Sequence, residues 1–128
     1  MTRYDKAQFE PPAPIAQVSL RNPDTRSTIS DVPMLLDTNA DVSLVPAATL
    51  ESLELAASED ILYELLSFDG KISFAPVVQL ELVFCNRIFR GQYLVIDREC
   101  GILGRNVINA VPLIFDGPNL TWEEKRTG

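Results

Sequence analysis

The sequence predicts one small, mainly β domain that closes into a barrel and carries one or two short helices. Three observations indicate this fold class. The chain has 128 residues, enough for a single domain that buries roughly two thirds of its unfolded surface. Apolar and polar residues alternate along several short segments, as they do in half-buried strands. Turn signals separate these segments, and only two stretches have helical character.

The N-terminal region predicts an arm and then two strands. Residues 1–14 contain three prolines and predict an extended arm, with disorder as the alternative, ahead of a domain that spans residues 15–128. The stretch "IAQVSLRN", which begins at Ile15, alternates as a half-buried strand, and "NPDT" at 22–25 supplies turn residues. The stretch "STISDVPMLLD" predicts a second strand that ends at Asp37.

The rest of the chain predicts two helices among hairpins. Pro46 begins the first helix, "PAATLESL", because proline is favoured at the first helical position. Residues 54–62 fit either a helix end or a loop. "GILGRNVINAV" predicts a tight loop that opens the second helix at Arg105. Three hairpins are predicted from their turn residues, namely Asp69-Gly70, Asn86-Arg87 and Asp116-Gly117-Pro118.

Charge and composition exclude several classes of partner. Eleven basic residues against eighteen acidic ones give a net charge of −7, which argues against a nucleic-acid partner because such proteins carry a basic face. The N-terminus lacks the apolar core of a signal peptide, and no apolar run approaches membrane-spanning length, so no membrane partner is expected. Only two cysteines occur, so a reduced, cytoplasmic location is the expectation.

The chain contains no histidine. This absence removes Ser-His-Asp and Cys-His catalysis and the common zinc ligand sets, and no metal or other cofactor is expected. The lone G-x-x-G at 101–104 is a weak signal for a phosphate or RNA loop in so acidic a chain. Carboxylates therefore remain as the main groups for general acid–base chemistry.

The stretch "MLLDTNADVSLVP", residues 34–46, places acids between two apolar runs. Asp37 follows directly on apolar residues, and Asp41 comes before three more, Val42, Leu44 and Val45. Aspartate is rarely buried unless another group pairs with it. Taken alone, Asp37 fits an ordinary Asx-turn, and a carboxylate held for chemistry is the other interpretation.

Two segments together resemble the signatures of retropepsin-like aspartic proteases. "LLDTNADVSLVP" resembles the active-site segment of that family, in which apolar residues precede Asp-Thr-Gly-Ala-Asp. "ILGRNVIN", Ile102 to Asn109, resembles the second signature, an apolar pair followed by Gly-Arg-Asp/Asn and an apolar helix start. The closing "LIFDGPNLTWE" is similar to the ends of bacterial single-domain members. The resemblance covers roughly residues 15–124 and implies the retropepsin fold.

The resemblance implies an aspartic endopeptidase that needs no cofactor and cuts peptide or protein substrates. Such enzymes hold a water between two carboxylates, one ionised as the base and one protonated as the acid. Pepsin-like enzymes carry two copies of the acidic motif, whereas this chain carries one and is too short for two lobes. An active site therefore requires a homodimer in which Asp37 of each subunit meets on the two-fold axis.

Roles of further residues follow from the same resemblance. Thr38 matches a threonine whose hydroxyl locks the loops of two subunits together. Asn39, Ala40 and Asp41 match positions that contact substrate. Arg105 matches an arginine that pairs with Asp41, within a chain or near the dimer contact, although an ion pair that only braces the loop is equally expected. The remaining matches are the hairpin that closes over substrate, at Asp69 and Gly70, and the supporting segment of Gly104, Arg105 and Asn106.

Asn39 departs from the family pattern, which has glycine at this position. Glycine allows the backbone to run close to the substrate and to the other subunit, and asparagine is the residue that best replaces it at left-handed φ. Two hypotheses follow from this departure. The protein is either a homodimeric aspartic endopeptidase or a retropepsin-like dimerisation or peptide-binding module without activity.

Overall fold

The computed structural model describes residues 1–58, 60–66 and 69–126. Half of the chain is strand and 7% is helix, which confirms the predicted mainly β class. No helix in this described part is long and apolar enough to cross a membrane. The strands are β1 Thr2–Arg3, β2 Ile15–Arg21, β3 Thr28–Leu36, β4 Leu44–Pro46, β5 Leu62–Leu66, β6 Ile72–Phe84, β7 Arg87–Ile96, β8 Gly101–Leu103, β9 Leu113–Asp116 and β10 Thr121–Glu124. The helices are α1 Ala48–Ser52 and α2 Arg105–Ile108.

Six strands close into a barrel. Their order is β2-β3-β8-β4-β7-β6, and β6 pairs back onto β2, from Ser19 opposite Val83 to Arg21 opposite Glu81. Closure leaves the sheet without free edges along this ring, which is why the apolar interior is covered on all sides. The alternation in β2 agrees with this, since Ala16, Val18 and Leu20 are buried. The predicted barrel is confirmed.

A charged ladder spans the seam where the barrel closes. Glu81 on β6 lies opposite Arg21 on β2 and Arg90 on β7, and its side chain is only 3% exposed. Arg21 Nε donates to Glu81 Oε1 at 2.7 Å, and Arg90 donates to Oε2 at 2.6 Å and 2.9 Å. Hydrogen bonds from Arg90 and then Arg21 hold the pKa of the Glu81 carboxyl below its ordinary value of 4.5.

We expect Glu81→Gln to destabilise the protein in a pH-dependent way. Because the folded-state pKa of Glu81 is depressed, its contribution is present above about pH 4.5 and is lost as pH falls through the folded pKa. Urea unfolding should therefore show a deficit for Glu81→Gln at neutral pH that shrinks in acid. The exposed helix residue Glu51 provides the control, and Glu51→Gln should show no such deficit. A Glu81→Gln deficit that is constant with pH would contradict this account.

The hairpin between β6 and β7 turns one residue earlier than predicted. The sequence predicts a turn at Asn86-Arg87, whereas Phe84 pairs with Arg87 and the turn residues are Cys85 and Asn86. Both have left-handed φ, 51° and 60°, as a type I′ turn requires. The long ladder of β6 with β7 fixes this register, and it places a cysteine at a position where asparagine or glycine is usual.

The first helix begins later than predicted. Pro46 does not open it, because Leu44–Pro46 form β4 and pair in parallel with β7 up to Ile96. The helix starts at Ala48 and gives way at Glu54, whose φ is 58°. The ambiguous stretch 54–62 contains no helix in its described residues, and residue 59 of that stretch lies outside them. The start of the second helix at Arg105 is as predicted.

The N-terminal arm is held on the domain. Its strand β1 pairs with β10 through Thr2 opposite Trp122, and Asp5 bridges Ala13 within the arm. Trp122 is buried, and its indole N–H donates to the Ile15 carbonyl at 3.2 Å. Strand β10 thus offers the arm a pairing edge, a long-range partner that its proline content did not indicate. The closing hairpin of β9 and β10 forms as predicted.

Both cysteines are free and half-buried. Burial, reinforced by the nearby Glu124 carboxylate, raises the pKa of the Cys85 thiol to about 11, and burial also raises the pKa of Cys100. A thiol with a raised pKa carries little thiolate at neutral pH and is a poor nucleophile. Neither cysteine is therefore a candidate for covalent catalysis.

Candidate active site

The two signature segments lie side by side although they are far apart in sequence. Strand β3 runs parallel to β8, with Met34 opposite Gly101 and Leu36 opposite Leu103. The pairing continues one residue further, because the Asp37 N–H donates to the Leu103 carbonyl at 3.0 Å. The acidic loop and the Gly-Arg-Asn segment therefore leave the barrel together, at the carboxyl ends of two adjacent parallel strands.

Asp37 begins a tight loop that its own carboxylate organises. Asp37 Oδ1 accepts the Asn39 N–H at 2.9 Å, and the Asp37 carbonyl accepts the Ala40 N–H at 3.2 Å. This is the Asx-turn expected from the residues alone. The second carboxylate oxygen has no hydrogen bond within the described part of the chain, and Asp37 is only half-buried. One oxygen is thus oriented by the loop while the other stays available at the surface.

Asn39 is exposed and does not have left-handed φ. The backbone of Asn39 therefore does not need the left-handed φ that glycine tolerates. Its backbone N–H is the group that binds the carboxylate, and any residue other than proline can supply that donor. The loop consequently accommodates asparagine without backbone strain.

Arg105 supports the loop through backbone carbonyls. Its backbone N–H donates to the Ala40 carbonyl at 2.8 Å, and its guanidinium Nη1 donates to the Thr38 carbonyl at 2.8 Å. Within the described residues of this single chain it forms no ion pair with Asp41, which is exposed. Of the two expected arrangements of the Arg105–Asp41 pair, the one within a chain is not formed among the described residues, and the one near the dimer contact stays a prediction.

The buried hydroxyl of Ser43 links the segment that follows the acidic loop to the Gly-Arg-Asn segment. It is 1% exposed, its hydroxyl donates to Asn106 Oδ1 at 2.7 Å, and it accepts the Gly104 N–H at 2.9 Å. Sequence reasoning missed this residue. The available signal was a serine between Val42 and Leu44 in an apolar run, since a buried hydroxyl needs a partner of its own.

Gly104 lies where no side chain fits. A Cβ on this residue would stand 2.9 Å from the Ala40 carbonyl oxygen and closer still to the Val42 carbonyl. These contacts involve backbone atoms, so rotation of a side chain cannot relieve them. The Gly-Arg-Asn segment thus begins with glycine because the acidic loop packs directly against its backbone.

The hairpin of β5 and β6 is attached to the same region by a small apolar cluster. Leu65 and Ala75 of the hairpin pack with Leu44 and Val77, and Val42 and Ile102 of the signature segments border this cluster. At the hairpin end, Asp69 Oδ1 accepts the Lys71 N–H at 3.0 Å, and Gly70 has φ of 82°. Residues 67 and 68, which the sequence places at the end of the first hairpin strand, lie outside the described residues.

The structure thus brings together the loop and its supporting segment, Asp37 to Ala40 with Gly104 to Asn106. Asp41 has no hydrogen-bond or ion-pair partner in the described residues, and the contacts of Asp69 are with Lys71 at the hairpin end. No group of three or more Cys, Asp or Glu side chains in the described chain could hold a metal ion. The arrangement therefore offers one oriented carboxylate per chain.

No protein-family model and no curated protein sequence matches this chain. Among solved structures, the fold is similar to that of the EIAV protease in complex with the inhibitor HBY-793, with a TM-score of 0.57. The match is 18% identical in sequence and covers 83% of this chain and 91% of that protease. The fold predicted from the two signatures, that of a retropepsin-like protease, is confirmed by this similarity.

Proposed function

We propose that this protein is an aspartic endopeptidase that hydrolyses peptide bonds through a water held between two Asp37 carboxylates, one from each subunit of a homodimer. The single observation that carries this proposal is the position of Asp37. Its loop is fixed by Leu103, Asn39 and Arg105, yet one carboxylate oxygen accepts no hydrogen bond from the described residues. The fold, which is similar to that of a retroviral protease, supports the same proposal.

Chemistry explains why one carboxylate needs a second. Peptide hydrolysis requires a base that takes a proton from the attacking water and an acid that protonates the carbonyl oxygen or the leaving nitrogen. Two carboxylates sharing a site do not both ionise cheaply, so one stays protonated and supplies the acid. Each chain offers one oriented carboxylate, and an isologous dimer brings the identical group from a second copy to the axis.

The three-stranded sheet of β1, β10 and β9 supports a dimer contact close to Asp37. Trp122 of β10 bonds to Ile15, which pairs with Leu35 just before the acidic loop, so this sheet covers the barrel end from which Asp37 emerges. Ile114 and Phe115 on β9 are 43% and 41% exposed. Exposed apolar side chains at this end suit burial against a second copy. We place the homodimer contact here.

A mixed peptide library incubated with the purified protein from acidic to neutral pH tests the proposal. We expect endoproteolytic cleavage that metal chelators and serine- or cysteine-directed reagents leave unchanged. Absence of cleavage at every pH, by protein that sedimentation shows to be dimeric, would favour the inactive peptide-binding or dimerisation module instead. Asn39, in place of the family glycine, is the observation that supports this second function.

Replacing Asn39 with glycine separates these two functions. Because Asn39 is exposed and its φ is not left-handed, glycine relieves no backbone strain and should cost under about 1 kcal/mol of stability through unfolded-state entropy. Cleavage rate should rise or stay unchanged, since the backbone N–H that binds Asp37 is retained. Peptide turnover and urea unfolding of both proteins provide the measurements. Activity lost on restoring glycine would show that the asparagine side chain has a role of its own.

A further inference from the structure

A small cleft lies between the N-terminal arm and the turn that precedes β10. Strand β1 pairs with β10 through Arg3 opposite Thr121, and the Tyr4 N–H donates to the Leu120 carbonyl at 2.8 Å. These contacts hold the arm against the turn, and the two segments together line a cleft of about 350 Å³. That volume is at the small end of the range for ligand pockets, so the cleft suits a small molecule.

The lining of this cleft is rich in hydrogen-bond donors. Five of its seven lining residues carry an N–H or O–H donor on the side chain, namely Arg3, Tyr4, Lys6, Asn119 and Thr121. Two of the five are cations, and no aspartate or glutamate lines the cleft. This departs from the composition of a chain whose net charge is −7. The cleft is therefore a cationic site on an acidic protein.

The nearest carboxylates along the chain do not neutralise these cations. Asp5 Oδ1 accepts two backbone N–H groups of its own turn, at 2.9 Å and 3.0 Å. The Asp116 carboxylate accepts the backbone N–H of Asn119 at 3.2 Å and its side-chain Nδ2 at 2.8 Å. In the described part of the chain, neither Arg3 nor Lys6 forms an ion pair, and both are exposed. Both charges thus remain for an anion.

Two cations suit a phosphate monoester better than a carboxylate. A phosphate monoester carries a charge of about −1.5 to −2 at pH 7, whereas a carboxylate carries one negative charge. The guanidinium fork of arginine also matches phosphate oxygens bidentately. An apolar wall is present for the organic part of such a molecule, because the Tyr4 ring packs against the core and Leu120 is 39% exposed.

We propose that this cleft binds a small phosphate monoester, with its phosphate between Arg3 and Lys6 and its organic part against Tyr4 and Leu120. The inference goes beyond the proposed function, because no step of peptide hydrolysis uses these residues. Strand β1 is at the opposite edge of its sheet from β9, which carries the exposed apolar residues of the proposed dimer contact. A ligand in the cleft bridges the arm and the turn, so its binding stabilises the attachment of the arm.

The test titrates phenyl phosphate into the wild-type protein at low ionic strength and follows binding by calorimetry. We expect saturable binding, about tenfold tighter than that of inorganic phosphate or of benzoate, because each of these lacks either the apolar part or the second charge. Arg3→Gln should weaken binding by about tenfold, and Lys6→Gln by about fivefold. Arg98→Gln removes the same charge from an exposed loop residue that does not line the cleft, and should leave binding unchanged.

A second measurement reports on the arm directly. Hydrogen exchange at the Tyr4 amide, which donates to the turn, should slow when phenyl phosphate is bound. Lys6 lies outside the strands, so Lys6→Gln tests the site without touching the pairing of β1.

Three results would overturn the inference. The first is phenyl phosphate binding that does not saturate by about 10 mM. The second is inorganic phosphate or benzoate binding as tightly as phenyl phosphate, which would leave a general anion site. The third is Arg98→Gln weakening binding as much as Arg3→Gln, which would show attraction by overall charge alone.

Discussion

Asp37→Asn protein is expected to lose peptide cleavage by about 10³-fold or more while keeping its fold and its dimer. The substitution removes the ionisable group from both halves of the proposed dimeric site at once, so neither the base nor the acid remains. The asparagine side-chain oxygen still accepts the Asn39 N–H, which preserves the turn that the carboxylate organises. Initial rates with a library-derived peptide, together with circular dichroism and sedimentation, provide the measurements.

A matched substitution on the same strand separates catalysis from general effects of lost charge. Asp31 lies earlier on β3, is exposed, and has φ of 57°, a conformation that asparagine tolerates well. Asp31→Asn should cleave peptide at the wild-type rate. Undiminished turnover by Asp37→Asn protein would exclude any mechanism that uses this carboxylate.

Gly104→Ala is expected to destabilise the protein by about 2 kcal/mol or more and to lower activity strongly. The new methyl group would meet the Ala40 and Val42 carbonyls, so the acidic loop must move away from the supporting segment. That movement also stretches the hydrogen bond from the Arg105 N–H to Ala40 and disturbs the bond between Ser43 and Gly104. Urea unfolding and peptide turnover measure the two effects.

Gly117→Ala provides the control for this substitution. Gly117 lies in the turn of the closing hairpin, has no atom within 4 Å of an added Cβ, and does not have left-handed φ. We expect a change in stability within about 0.5 kcal/mol and full activity. If the two alanine variants were equally stable, the close approach of loop and supporting segment would not matter to the fold.

Local pattern in the sequence is sufficient for the longer strands, the barrel class and the second helix, but not for the short strands β4 and β8, which were predicted as a helix start and a tight loop. Alternation marks β2, and a glycine followed by Arg-Asn and apolar residues marks the start of α2. Each of these features depends on contacts or conformations that the segment itself specifies. The adjacency of Asp37 and Gly104 was available only through the resemblance, because no local pattern indicates that β3 and β8 are neighbours.

Features set by long-range pairing were predicted less well. The sequence around Pro46 predicts a helix start, but parallel pairing with β7 keeps Pro46 in a strand. Asn86 reads as the first turn residue, but the register of β6 with β7 makes it the second. Arg105 has no local feature that decides between a carboxylate and a carbonyl partner, and the loop conformation selects the carbonyl of Thr38. Such outcomes depend on residues far away in the chain.

The proposal that the active site is shared between two chains is tested most directly by mixed dimers. Wild-type and Asp37→Asn subunits are unfolded together in equal amounts and refolded, so that about half of the dimers contain one chain of each kind. If two Asp37 carboxylates are required, activity per wild-type subunit should fall to about half of its value in pure wild-type protein, and further as Asp37→Asn subunits are added in excess. Activity per wild-type subunit that stays constant at every mixing ratio would contradict a site built from both chains.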